Sequence, residues 1–159
     1  MDEMDEWTSG RVDAVTGDGC VFCAIVAGTV PADVVLADEV VVAFLDRSPV
    51  FKGHVLVVPR HHVISLPDLA KEVVGPFFER VQLIARVLPQ ALGADGTFVA
   101  NNNVVSQSVA HLHVHVVPRR RRDGLRGFFW PREKYSTDEA ASYADSIRSA
   151  LNTCLRDGG

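Results

Sequence analysis

The ten residues Ala110-His111-Leu112-His113-Val114-His115-Val116-Val117-Pro118-Arg119 constrain this chain more than any other stretch. A β-strand turns successive side chains to opposite faces. The alternation therefore sets His111, His113 and His115 on one face and Leu112, Val114 and Val116 on the other, toward a core. Three imidazoles along one face make poor interior material, because each polar ring needs a partner. That face reads as a site, and the chemistry open to it is metal ligation, general acid–base work or nucleophilic attack.

Four more segments read as strands from β-branched and alternating content, at 33–37, 40–46, 53–59 and 97–103, with the histidine strand at 111–117. Short turns at Asp38-Glu39 and at 48–52 favour antiparallel pairing, since a parallel pair needs a long crossover. Between the third and fourth strands, Leu69, Val73, Phe77, Val81, Ile84 and Leu88 recur at helical spacing. Asp68 suits the N-cap and Gly93 the stop, with a turn expected before Pro76 and a kink or early end near Pro89. A short apolar helix is expected over 21–27. A last helix from Asp138 to Leu155 would carry Ala141, Ala144, Ile147, Leu151 and Leu155 as a stripe. The expectation is an α+β domain with a five-stranded antiparallel sheet, one long helix between strands three and four, and a C-terminal helix.

Composition narrows the function classes. With 47% hydrophobic and 23% charged residues the chain is neither fibrous nor disordered overall. The net charge of −4 is unevenly placed: residues 1–18 hold six acids and one base, leaving 15 bases and 14 acids for the rest. Residues 1–18 are expected to be an acidic mobile tail, 19–120 the domain proper, and 121–159 a C-terminal extension with a loop and a helix. A nearly neutral domain argues against broad nucleic-acid binding. The run Arg119-Arg120-Arg121-Arg122 either steers phosphates or is a solvated loop. The longest apolar run, Cys20 to Ala27, falls well short of the ~20 residues a membrane span needs. Asp2, Glu3, Asp5 and Glu6 stand where a secretory signal would be basic, so a cytoplasmic location is expected.

Two further clusters surround the histidine strand. Asn101-Asn102-Asn103 and Ser106-Gln107-Ser108 form a polar run whose amides, hydroxyls and turn N–H groups can hold phosphate oxygens, or serve ordinary turn chemistry. Cys20-Val21-Phe22-Cys23 is a C-x-x-C pair that suits two thiolates on one zinc, a redox pair, or two small buried hydrophobes. Cys154 has no visible partner on the terminal helix, where buried packing is its expected role.

The pattern His111-Leu112-His113-Val114-His115-Val116-Val117 resembles the signature of the histidine triad (HIT) family of nucleotide hydrolases and transferases. Stretches 22–31, 42–49 and 53–59 with His62, then Asn101, agree in order and spacing, so the resemblance covers about residues 19–120. A third histidine resembles the phosphoramidase (Hint-like) branch, whereas the dinucleoside-triphosphate hydrolase (Fhit-like) branch usually has glutamine there. The resemblance implies that His113 attacks the α-phosphate and becomes nucleotidylated. It implies that His115 and His54 line the phosphate site, that Ser108 lies near the leaving group, and that Asn101 and Gln107 help hold the phosphate. Phe22, Ile25 and Phe44 match positions that sandwich a purine, and Asp46 matches the acid on the ribose hydroxyls. Arg47 replaces a residue often aliphatic in this branch, and Ser106 a common glycine. Some family members hold structural zinc, which here would use Cys20, Cys23, His62 (or its neighbour His61) and His111. A homodimer is carried over on the same basis.

The leading expectation is thus hydrolysis of a purine nucleoside phosphoramidate or related nucleotidyl conjugate, releasing the monophosphate. The alternatives are a dinucleoside polyphosphate hydrolase or phosphorylase, a zinc-stabilised nucleotide sensor without turnover, and three strand histidines on one catalytic metal. The aromatic segment Arg126-Gly127-Phe128-Phe129-Trp130-Pro131 is open to covering a partner's site or packing on its own domain.

Overall fold

A computed structural model describes residues 17–125 and 132–158. The expected acidic tail therefore falls almost wholly outside the described residues, and so does the aromatic segment 126–131. The chain divides into two units, Met1–Asp123 and Gly124–Gly159.

The first unit is an α+β domain. Its elements are helix α1 (Val21–Val26), strands β1 (Val34–Ala37), β2 (Val41–Leu45) and β3 (Val55–Pro59), helix α2 (Lys71–Leu92), and strands β4 (Gly96–Ala100) and β5 (Val114–Arg119). The sheet order is β1-β2-β3-β5-β4, with every pair antiparallel. This is the five-stranded antiparallel sheet expected, with its long helix after the third strand.

Both faces of the central strands are covered. Val41, Ala43, Val55, Val57, Leu112, Val114 and Val116 pack under Phe77, Val81, Ile84 and Leu88 of α2. Val42, Phe44, Leu56 and Val58 meet Phe22 and Ile25 of α1 on the opposite face. The uninterrupted run Val55–Pro59 is buried throughout because β3 lies in the middle of the sheet.

Three local expectations differ from the structure. Asp68 does not cap α2: it closes a short 3₁₀ turn, Leu66–Asp68, its carboxylate accepting from Ser65 N–H (3.1 Å) and Ser65 Oγ (2.7 Å). The long helix instead starts at Lys71 and runs through both Pro76 and Pro89. Each proline removes one helical hydrogen bond. The loss is tolerated because the buried stripe Phe77–Val81–Ile84–Leu88 anchors the helix on the sheet. Gly93, at φ +62°, ends the helix as expected.

The histidine strand also starts late, at Val114 rather than His111. Its neighbour β3 ends at Pro59, which has no N–H, and β4 ends at Ala100. Beyond that point the Asn101 Nδ2 amide, not a backbone N–H, donates to the His113 carbonyl (2.9 Å), and Leu112 N–H donates to Val63 O (2.7 Å). The alternation survives outside the ladder: Leu112 remains on the α2 face.

In the second unit, helix α3 spans Glu139–Arg156 and none of its residues is buried, so Cys154 is exposed rather than packed in a core as expected. Among the described residues no helix is long and apolar enough to cross a membrane.

Candidate active site and metal centre

Four side chains from three parts of the chain meet beside the sheet. Cys20 is the N-cap of α1 and Cys23 lies in its first turn; His62 follows β3 and His111 precedes β5. Their ligand atoms all lie within 4.8 Å of one another. His62 Nδ1 stands 3.2 Å from His111 Nδ1 and 3.2 Å from Cys23 Sγ, while His111 Nδ1 is 3.5 Å from both sulfurs.

These four separations match edges of a coordination tetrahedron. Zn–N near ~2.05 Å and Zn–S near ~2.3 Å give edges of about 3.3 Å between nitrogens and about 3.6 Å between nitrogen and sulfur. The same contact between two Nδ1 atoms is a hydrogen bond if His62 carries its proton there, and a pair of lone pairs converging on one cation if it does not. His111 settles its own tautomer: Nε2–H donates to the Pro59 carbonyl (2.9 Å), which leaves Nδ1 as a lone pair aimed at the sulfurs. Burial holds His111 neutral, its pKa lowered to about 4. A Cβ on Gly17 would fall 2.6 Å from the His62 ring, so the backbone before α1 closes directly over this ligand. The cluster can hold a metal ion of the two-sulfur, two-nitrogen kind. His61, the other candidate at this position, is exposed and outside the cluster.

The remaining histidines form a hydrogen-bonded row. His113 is 2% exposed, and its Nδ1–H donates to the His111 carbonyl (2.7 Å), so Nε2 carries a lone pair. Val50 N–H donates to His54 Nδ1 (3.1 Å), which places the His54 proton on Nε2. That proton points at His115 Nδ1, 2.9 Å away, and leaves His115 with its own N–H at Nε2. Burial lowers the pKa of His115 to about 4, with His113 and His54 adding to the effect, and burial lowers that of His54 as well. Both rings are therefore neutral at neutral pH. One face of the chain thus presents a lone-pair nitrogen at His113 beside an N–H donor at His115, their ring centres 5.0 Å apart.

Asp46 sits at the edge of this row. Its Oδ1 accepts from Ser48 N–H (2.8 Å), and its Oδ2 lies 3.8 Å from His54 Nε2. Asp46 is thus the turn residue its sequence position allows, with its second oxygen facing the histidines. Phe22 and Phe44 are buried with ring centres 5.4 Å apart, and Phe22 meets His113 edge-on at 5.1 Å; Ile25 is buried beside them.

The polar run is only partly directed at this place. Asn101 donates to the His113 carbonyl, and its Oδ1 is buried without a partner. Gln107 has both ends of its amide engaged: Oε1 accepts from Val104 N–H (2.8 Å) and Nε2 donates to Ile64 O (2.5 Å). It pins the loop. Ser108 is exposed, and Ser106 adopts φ +59°, the left-handed conformation for which glycine is best suited. The arginine run is likewise divided. Arg119 pairs with Asp123 and Arg120 donates to Leu92 O at the end of α2, so these two serve structure.

Two groups that matter here carried no sequence signal: the Val50 amide that sets the His54 tautomer and the Pro59 carbonyl that sets that of His111. Backbone groups leave no mark in residue identities.

The fold and this histidine row define a class: a single antiparallel sheet with its long helix on one face and a short helix beside a histidine-lined site on the other. The sequence profile of the HIT domain matches residues 27–122, and the chain belongs to the HIT domain family. An adenylylsulfatase of Arabidopsis thaliana is 31% identical over 92% of this chain and 73% of its own. An adenosine 5'-monophosphoramidase of Schizosaccharomyces pombe is 30% identical over 83% of this chain and 98% of its own. A crystal structure from Streptococcus mutans superposes with TM-score 0.80 at 35% identity, covering 95% of this chain and 97% of that one. A zinc-bound histidine triad family protein of Mycobacterium smegmatis gives TM-score 0.65 at 38% identity, covering 84% and 98%.

Proposed function

We propose that this protein is a nucleotide hydrolase acting at the α-phosphate of a purine nucleoside phosphoramidate or a related nucleotidyl conjugate. The observation that carries the reading is the 2.7 Å hydrogen bond from His113 Nδ1–H to the His111 carbonyl, which leaves Nε2 as the ring nitrogen available to phosphorus. Nε2 bonds to phosphorus as the bond to the amine, or other group, breaks. The imidazolium so formed keeps its Nδ1 proton on the carbonyl. Water then displaces His113 and the monophosphate leaves.

The N–H of His115, oriented by His54, donates to the phosphate oxygens as charge develops there. Ser108 lies near the leaving group and Asn101 helps hold the phosphate, while Gln107 acts through the loop it pins. Phe22, Ile25 and Phe44 take the purine, and the free side of Asp46 accepts from ribose hydroxyls. The names of the two relatives, a phosphoramidase and an adenylylsulfatase, support a substrate in which adenylate is joined to a leaving group.

Zinc is the metal proposed for Cys20, Cys23, His62 and His111. The mixed thiolate–imidazole donor set suits it, and the tetrahedral edges fit. Four protein ligands close the shell, so the ion's contribution is structural. We further place the protein in the cytoplasm as a homodimer, a state supported by the outer position of β4 in the sheet, where Val99 is 44% exposed.

The test is hydrolysis of adenosine phosphoramidate by the parent and by His113→Ala. The variant is expected to lose at least ~10³-fold in kcat while still binding AMP, and single-turnover mass spectrometry should find an adenylyl group on His113 of the parent only. Equal rates in the two proteins overturn the mechanism. No turnover by either overturns the phosphoramidate reading.

A further inference from the structure

The zinc ligands and the nucleophile share one residue. His111 offers Nδ1 to the metal cluster, while its carbonyl receives the Nδ1–H of His113. The two cysteines flank another shared residue: Phe22 lies between them on α1 and touches the His113 ring. The cysteines themselves are unequal. Cys20 is partly exposed at the N-cap, with its sulfur accepting from Cys23 N–H at 3.4 Å, whereas Cys23 is buried one turn further in. A partly exposed cysteine backed by a buried one, with their sulfurs within 4.8 Å, is the arrangement of an attacking and a resolving thiol.

We propose that Cys20 and Cys23 form a peroxide-sensitive switch that expels the metal and loosens the nucleotide site. The inference rests on the zinc reading above. The Cys20 thiolate attacks the O–O bond of a hydroperoxide, giving a sulfenic acid and an alkoxide or hydroxide. The Cys23 thiolate then attacks that sulfur and displaces hydroxide. Two electrons pass from the sulfurs to the peroxide, two oxygens leave as alcohol and water after protonation, and one disulfide remains. The sulfur–sulfur edge of a zinc tetrahedron is about 3.8 Å, whereas a disulfide bond is about 2.0 Å long, so the oxidised pair and the bound metal exclude each other. Two neutral histidines alone hold zinc weakly. Loss of the ion frees His62 and the Nδ1 side of His111, and the shift of α1 moves Phe22 against His113.

The experiment uses the full zinc-loaded chain carrying Cys154→Ser, which removes the exposed third thiol on α3. Hydrogen peroxide is added in small steps. Intact mass reports the loss of two hydrogens, a chromogenic chelator reports released zinc, calorimetry reports AMP affinity, and circular dichroism reports the fold. The expected result is one zinc released per disulfide formed, an AMP affinity about tenfold or more weaker, a retained fold, and recovery with dithiol plus zinc. Zinc retained after the thiols are lost, or zinc released with AMP affinity unchanged, overturns the switch while leaving the metal assignment intact. Irreversible unfolding on oxidation also overturns it. A reduced protein that binds no zinc overturns both readings.

Discussion

His115 owes its tautomer to a backbone amide two contacts away. Val50 N–H fixes the His54 tautomer, His54 fixes that of His115, and burial keeps both rings uncharged. The consequence for stability has a definite sign. In the folded state His115 takes its proton only near pH 4, whereas unfolded histidine takes it near 6.5. Between those values the unfolded chain binds more protons, so stability is complete above pH 6.5 and falls as the pH drops toward 4. Urea midpoints followed over that window should decline, and His115→Gln should flatten part of the decline. A variant with the same slope as the parent would show that His115 is not among the groups responsible.

Helix α2 is the element on which sequence signals conflicted. Two prolines argued for breaks, while six apolar residues at helical spacing argued for continuity, and continuity prevailed. Helical hydrogen bonds lost at prolines cost about 3 kcal/mol each at most interior positions. Burying four large side chains against the sheet contributes roughly 1.5–3 kcal/mol apiece, which is enough to carry the helix through. Phe77 is fully buried at the centre of this contact. Phe77→Ala is expected to destabilise the domain by about 3–5 kcal/mol in urea titration, with the secondary structure retained under native conditions. A cost below about 1 kcal/mol would mean that the α2 face is not where the domain's stability resides.

At the scale of the whole first unit, the cysteine–histidine cluster joins parts of the chain up to 91 residues apart. It ties α1 to the segment after β3 and to the start of the histidine strand. An ion bound only by the folded state at a thousandfold excess over its Kd adds about 4 kcal/mol. Chelation should then lower Tm on the order of 10 °C, and zinc, but not magnesium, should restore it. An unchanged Tm in protein shown to have lost its metal would refute a structural role.

Much of this was legible in the residues themselves. Alternation is a local property of the backbone, so His111 to Val116 disclosed which side chains share a face before any partner strand was known. The spacing of Phe77, Val81, Ile84 and Leu88 likewise disclosed the buried side of α2, and Gly93 its end. Which histidine does what was not local. His111 turns to the cysteines where Pro59 and Ala100 end the neighbouring ladders and release residues 111–113 from regular pairing, whereas His115, still paired with Leu56 and Ala100, meets His54. The choice of His62 over His61 depended on where the chain leaves β3. Asp68, a good cap by identity, was taken by a turn that the sequence pattern did not distinguish from a helix start. Tautomers, metal geometry and the shared His111 carbonyl arise from backbone groups meeting across the fold, and only the tertiary structure decides those, because every residue carries the same amide and carbonyl.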